Sequence, residues 1–453
     1  HPGRLWCHCR MVYLPMGYIY SRRFAYPSAA TDSTTASLRE ELYLPGTRYE
    51  SVDWDSARHT VADIDNYTPV GGIMRTAHNM LAYYERLPSW LSCFGLRERG
   101  LAFAEDYIQA EDLQTNYICI GPVNKAMHLL CAWLSAGGDV STNAAVVARR
   151  HPSFRRHLAR VSDYLWVAED GLKMQGYNGS QCWDTSFAIQ AMIEAGAAEE
   201  LPRMTEAVWR YLEATQILST EVSRASPACR FEEPTMRRKY YRHVSKGGWP
   251  FSTSAHGWPI SDCTAEGLKS VLELRSLACI QAASEGGLPQ ITDERLQDAV
   301  NVLLTLQNPE SGGWATYENT RGWAWYELLN PSETFGDIMI DIPYVECTCA
   351  SLSALKAFHE RFPKHRPAEI SHAIAAGRNF IESVQRPDGS WYGSWGCCFT
   401  YGSWFGLEGL TTAGLPSDSP AVVRGVPTPP NESLLRATHY IRLRIISQSV
   451  SQH

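Results

Sequence analysis

The sequence predicts an all-α protein of paired helices stacked about an axis. Three observations carry this expectation. Amphipathic helical patterning dominates from about residue 120 to 415. Strand-like alternation is scarce. A unit that runs from a helix through Gln and a Pro-containing turn to Gly and Trp occurs more than once.

Residues 1–110 mix aromatic turns with short helical stretches. The repeat lies further on. The helical stretch 299–307 ends in Gln307 and leads through Pro309 and Gly313 to Trp314; 377–385 ends in Gln385 and leads through Pro387 and Gly389 to Trp391. A helix from about Val345 to Phe358 runs between them, with Cys347, Ala350, Ser351, Ala354, Leu355 and Phe358 on one face. One further helix per unit predicts stacked helix pairs. The Gln amide can bond free backbone groups at a helix end, and an indole can stack on that amide plane. Lys246-Gly247-Gly248-Trp249 reads as a weaker relative of the same turn. After Gly414 the texture changes: Pro416, Pro420, Pro427, Pro429 and Pro430 punctuate a Ser-rich stretch ending in a basic–apolar run over 434–446. Residues 415–453 therefore read as a tail without fixed structure, an ordinary C-terminal helix over 434–446 being the other reading.

Composition narrows the function. A net charge of −7 with no basic block argues against nucleic acid as partner. No uninterrupted apolar run reaches the length of a bilayer span. The aromatic load is large, with 15 Trp, 22 Tyr and 13 Phe. Most of it is core material, yet it also suits a site that handles a greasy substrate or a carbocation. The 13 Cys are odd in number and several lie inside apolar helical patterns, so a reducing compartment is expected rather than a disulfide framework.

The residues with chemical potential centre on Asp262-Cys263-Thr264-Ala265-Glu266, after an aromatic, Gly-rich approach over 246–261. Asp262 fits a helix N-cap, and Leu268, Val271 and Leu272 continue a helical face. Read alone, a capping Asp and a satisfied Glu are the commoner roles for such a pair.

This pentapeptide resembles the acid motif of the oxidosqualene cyclases. Gln385–Trp391 resembles their QW repeat, and Gln307–Trp314 is one residue longer than that pattern. Trp6-Cys7-His8-Cys9-Arg10, Gly179–Thr185, Pro331–Ile338 and Gly393–Glu408 match family segments in the same order. The resemblance covers residues 1 to about 414, and it fits the sterol-forming branch better than the squalene–hopene branch.

The resemblance implies α/α (toroid) barrels of the terpene cyclase type, with short β-like segments in connecting loops. Residues 1–172 would form part of the N-terminal-side barrel, 173–414 the catalytic portion, and 415–453 a divergent tail. Family members are longer at both ends, so the pair of barrels is expected to be incomplete. The implied activity is cyclisation of (S)-2,3-oxidosqualene to a tetracyclic, lanosterol- or protosterol-type triterpene. Asp262 would be the general acid, with the thiols of Cys263 and Cys347 beside it and Glu266 supporting or reprotonating it. Trp183, Phe251 and Trp395 would offer aromatic faces to the cations. His8 and Tyr317 would guide the final deprotonation, and Cys9, Tyr13 and Ile338 would narrow the substrate channel.

The family acts without metal or organic cofactor. A structural histidine, or a metal ligand together with Cys7 and Cys9, are the other readings of His8, but no complementary pair at zinc spacing accompanies a metal site. The implied partners are the lipid substrate and one face of an endoplasmic reticulum or lipid-droplet membrane, held in a monotopic manner. Two alternatives stay open: a non-catalytic remnant of such a cyclase, and another α/α-barrel enzyme such as a prenyltransferase β-type subunit or a glycosidase.

Overall fold

The computed structural model describes residues 2–26, 32–57, 60–86, 95–139, 143–176, 179–218, 232–395 and 397–426. The helices that build the site are α1 (Cys7–Ser21), α2 (Leu96–Gln114), α3 (Pro122–Ser135), α4 (Gln181–Glu194), α5 (Pro202–Thr215), α6 (Ser261–Leu274), α7 (Asp293–Leu306), α8 (Val345–Arg361), α9 (Pro367–Ser383), α10 (Cys398–Thr412) and α11 (Pro420–Gly425). Among the described residues the one sheet is an antiparallel hairpin of β1 (Leu165–Ala168) and β2 (Gly171–Met174), with Leu165 opposite Met174. The all-α expectation with short β segments holds.

Helices α4, α6, α8 and α10 pack side by side in that order, and α5, α7 and α9 lie against them as a second layer. The apolar face foreseen on α8 is buried, but so is most of the rest of that helix, and of α6. A helix covered on nearly all sides needs small residues as well as large ones, which explains Ala265, Gly267, Ser270, Ala350, Ser351 and Ala354. Trp209, Leu212, Leu268, Val271, Val300, Leu303, Leu355 and Phe358 fill the space between the layers.

The Gln–Trp turn is the joint of this architecture, and the expected bonds from the Gln amide to backbone groups are joined by two from each Trp. Each Trp indole donates its N–H to a carbonyl in the last turn of an outer helix: Trp249 to Leu212 at 2.9 Å, Trp314 to Leu303 at 2.7 Å, Trp391 to Ile381 at 2.8 Å. The backbone N–H of each Trp donates to a hydroxyl on the next buried helix, Thr264, Thr348 or Ser403. Each Gln amide then donates twice. Gln307 reaches Gly312 in its own turn and Ala373 of α9; Gln385 reaches Gly389 and Ala421 of α11. One turn thus ties three successive helices together.

Trp249 belongs to a complete third copy, not a weaker relative. Its glutamine is Gln216, which donates to Gly247 and to Arg295 of α7. The two residues are far apart in sequence, so spacing alone does not pair them.

The tail boundary is also corrected. Residues 415–426 are part of the fold: α11 packs on α10, with Ala421 and Val422 buried. Proline there is compatible with structure because Pro420 opens α11, where no intrahelical N–H is required. Residues 427–453, including the 434–446 run, lie outside the described residues.

On the N-terminal side α1 packs against α2 and α3 through Tyr18, Ala104, Ile108 and Cys131. A fully buried ion pair, Arg10 to Glu318 at 3.0 Å, joins α1 to the loop that follows the second Gln–Trp turn. Arg10 also donates to the Tyr107 hydroxyl on α2, at 3.1 Å. A buried pair of this kind costs desolvation, and it fixes two elements in one register.

Candidate active site

The buried helices present their N-terminal ends to one region. Asp262 is the second residue of α6, Cys347 the third of α8, and Trp183 the third of α4; Trp395 lies just before α10. The helix begins at Ser261 after Ile260, so Asp262 sits inside the first turn and is not the N-cap that the sequence suggested. Its Oδ1 accepts the backbone N–H of Cys263 at 2.7 Å, and its Oδ2 accepts from the Cys347 thiol at 3.6 Å.

Burial pushes the Asp262 carboxyl up to about 6, against the pull of the Cys263 N–H and of the two thiols, while the charge of Glu266 adds to the rise. Burial also raises both thiols well above their ordinary value, so they stay neutral donors. The same donors and the positive end of α6 stabilise the carboxylate as it forms. The group therefore retains its proton more readily than a free carboxyl, yet gives it up into a prepared cradle.

Glu266 lies one turn further along α6. Its carboxylate is held by Lys269 at 2.9 Å and Gln190 at 2.8 Å. It acts on Asp262 through its charge, and no hydrogen bond links the two carboxyl groups.

Aromatic rings gather beside the acid. Cys263, Tyr317 and Trp258 share a buried cluster with Cys7 and Met11, and Trp6, Trp183 and Phe251 pack on it. His8 meets the edge of Tyr317 at 5.1 Å between ring centres, and Trp183 stacks on Phe251 at 6.4 Å. Burial lowers His8 to about 4, with Glu318 opposing and Arg10 adding to the drop. The imidazole is thus neutral and able to accept a proton. Trp395 pairs with Tyr344 at 5.0 Å and remains partly exposed.

The channel candidates lie on α1 and the loop against it. Cys9 touches the Met339 sulfur at 3.7 Å, next to Ile338, whose N–H is held by Glu327. Tyr13, one turn beyond Cys9, lines a cleft of about 830 Å³ with Met16, Ile19, Tyr20 and Phe24.

Sequence reasoning missed Trp258 and Tyr344 as site aromatics. It also missed Asp341, which accepts the backbone N–H groups of Tyr317 at 3.0 Å and Glu318 at 3.3 Å and so shapes the loop that carries Tyr317. The signal for Trp258 lay in the aromatic approach to the pentapeptide, but its partners come from distant parts of the chain. A further buried cluster had no signal in the sequence. Asp112 lies between His128 at 2.7 Å and His157 at 3.0 Å, and Lys125 contacts His157 at 3.0 Å. Cys119 and His128 place ligand-type atoms within 4.8 Å of Asp112. The two imidazoles answer the carboxylate, while Lys125 donates to the Tyr117 carbonyl and rests on His157.

A family profile described as the squalene-hopene cyclase C-terminal domain matches residues 179–428, more than half of the chain. The chain belongs to the oxidosqualene cyclase family. It is 46% identical over 424 residues to the cycloartenol synthase of Dictyostelium discoideum, an alignment covering 93% of this chain and 54% of that protein. It is 46% identical over 421 residues to the lanosterol synthase of Mus musculus, covering 91% and 51%. The alpha-onocerin synthase LCD of Lycopodium clavatum is 38% identical over 421 residues, covering 91% and 50%. The chain thus spans about half the length of the curated relatives it matches. The cyclase profile includes residues 415–428, in keeping with the packing of α11.

Proposed function

We propose that this chain carries the proton-donating core of an oxidosqualene cyclase and converts 2,3-oxidosqualene to a tetracyclic, sterol-type triterpene. The observation that carries the reading is Asp262: a buried carboxyl raised to about 6, with the Cys263 N–H and the Cys347 thiol on its two oxygens. An oxirane oxygen is a weak base. It takes a proton only from an acid whose conjugate base is stabilised in place.

The proton moves from Asp262 to the oxirane oxygen as the C–O bond opens and the neighbouring double bond supplies its electron pair to the carbon. Successive double bonds close rings and pass the positive charge along. Trp183, Phe251 and Trp258 stabilise it through their π faces without capturing it. Neutral His8, oriented by Tyr317, takes up the last proton, so substrate and product are isomers. A monotopic seat on an endoplasmic reticulum or lipid-droplet surface belongs to the same reading. The cleft of Tyr13, Met16, Ile19, Tyr20 and Phe24 supports it, with Met16 and Tyr20 exposed.

The test is incubation of the purified chain with 2,3-oxidosqualene in detergent, with products separated by gas chromatography. A tetracyclic product is expected, and Asp262→Asn is expected to reduce its formation at least about a hundredfold. Normal turnover by that variant contradicts the acid assignment.

A further inference from the structure

Away from Asp262, between the N-terminal Gly3–Arg4 segment and the 234–244 stretch, lies an open cleft of about 740 Å³. Arg4, Arg237, Arg238, Arg242, Arg321 and His243 line it, and no carboxylate does among the described residues. Two of the arginines are already compensated: Arg242 by Glu111 at 3.4 Å, and Arg321 by Glu318 at 3.3 Å. Arg4, Arg237 and Arg238 have no ion-pair partner among the described residues. Arg4 stacks on Trp323 at 4.3 Å, and the Arg237 Nε is buried without a hydrogen-bond partner. Glu232 is near enough to Arg237 to feel its charge, but its Oε1 is taken by the N–H groups of Ser245 and Lys246.

A chain of net charge −7 that gathers three guanidinium groups without an ion pair around one hollow, with only Glu232 close to one of them, has a positive local field. Guanidinium forks present parallel N–H donors that match phosphate oxygens. His243 adds to the set. Its Nε2 accepts the Asn319 N–H at 3.1 Å, so Nδ1 is the nitrogen that carries hydrogen in the neutral ring. The volume exceeds that of one phosphate and suits a diphosphate or a phosphorylated headgroup.

We propose that this cleft binds a phosphate-bearing anion, either a free diphosphate or a phosphomonoester headgroup on a lipid. The site shares no residue with the acid centre, and the proposal does not depend on the cyclase reading.

The experiment uses the full chain. Inorganic pyrophosphate is titrated calorimetrically at low salt. Cosedimentation is measured in parallel with phosphatidylcholine vesicles, with and without phosphatidic acid. The Arg237→Gln/Arg238→Gln double variant and the separate Arg4→Gln variant, all at partly or fully exposed positions, are run alongside. Saturable pyrophosphate binding that weakens at least about tenfold in the double variant and with added salt supports a free anion. No pyrophosphate heat, together with phosphatidic-acid-dependent sedimentation lost in the variants, supports the lipid source. If neither anion binds, or if both variants bind as the parent does, the proposal is overturned.

Discussion

At the scale of single residues, the proposed chemistry depends on two opposed influences at Asp262. Burial holds the proton on, while the Cys263 N–H, the Cys347 thiol and the helix terminus prepare the site for the carboxylate. In the proposed reaction the reactive form is the protonated one, and the group's folded-state value is about 6. Product formation is therefore expected to fall about tenfold per pH unit above that midpoint, and a rate flat from pH 5 to pH 8 would contradict it. Cys347→Ala removes a donor that lowers the carboxyl. That variant should turn over more slowly, with its pH midpoint moved upward, whereas Cys263→Ala keeps its backbone N–H and should shift the midpoint less. The helical pattern by itself put Cys347 on a buried face and no more; Asp262, Cys263 and Cys347 were legible in the sequence only through the resemblance of the pentapeptide and its neighbouring segments to a known family. Trp258 and Tyr344 were not, since a site aromatic is defined by the ring it faces, and those rings arrive from remote segments.

At the scale of elements, the Gln–Trp turn works as a three-way clasp, and its tolerance is small. In this chain a Cβ added at Gly425 would lie 2.5 Å from the Trp391 ring, and one at Gly406 would lie 2.4 Å from it. Gly425→Ala is expected to cost about 1–3 kcal/mol in urea denaturation. An unchanged midpoint would show that α11 does not dock on Trp391. Two of the three clasps were readable because Gln and Trp lie close together in sequence. The third was obscured by the separation of Gln216 from Trp249, and α11 by prolines that read as disorder until their place at a helix start is seen.

At the scale of the whole molecule, the buried Arg10–Glu318 pair joins α1, with His8, to the loop of Tyr317, and Asp341 holds that loop from behind. None of these long-range ties has a signature in local spacing, although the layered helical architecture did. Burial raises Asp341 from its ordinary 3.8 to about 7, partly opposed by the Tyr317 N–H and reinforced by Glu318. Between those two values the folded chain binds the proton and the unfolded chain releases it, so this group's contribution to stability declines as pH rises through that window. Asp341→Asn, which keeps an acceptor for the loop, should gain stability relative to the parent between pH 5 and pH 8 in paired denaturation curves; no relative gain would contradict this. The most direct test of the acid centre is the titration of Asp262 itself, followed by carbon NMR of carboxyl-labelled aspartate with Asp262→Asn to assign the signal. A midpoint near 6 is expected, and a midpoint at the ordinary carboxylate value of 3.8 would contradict the assignment.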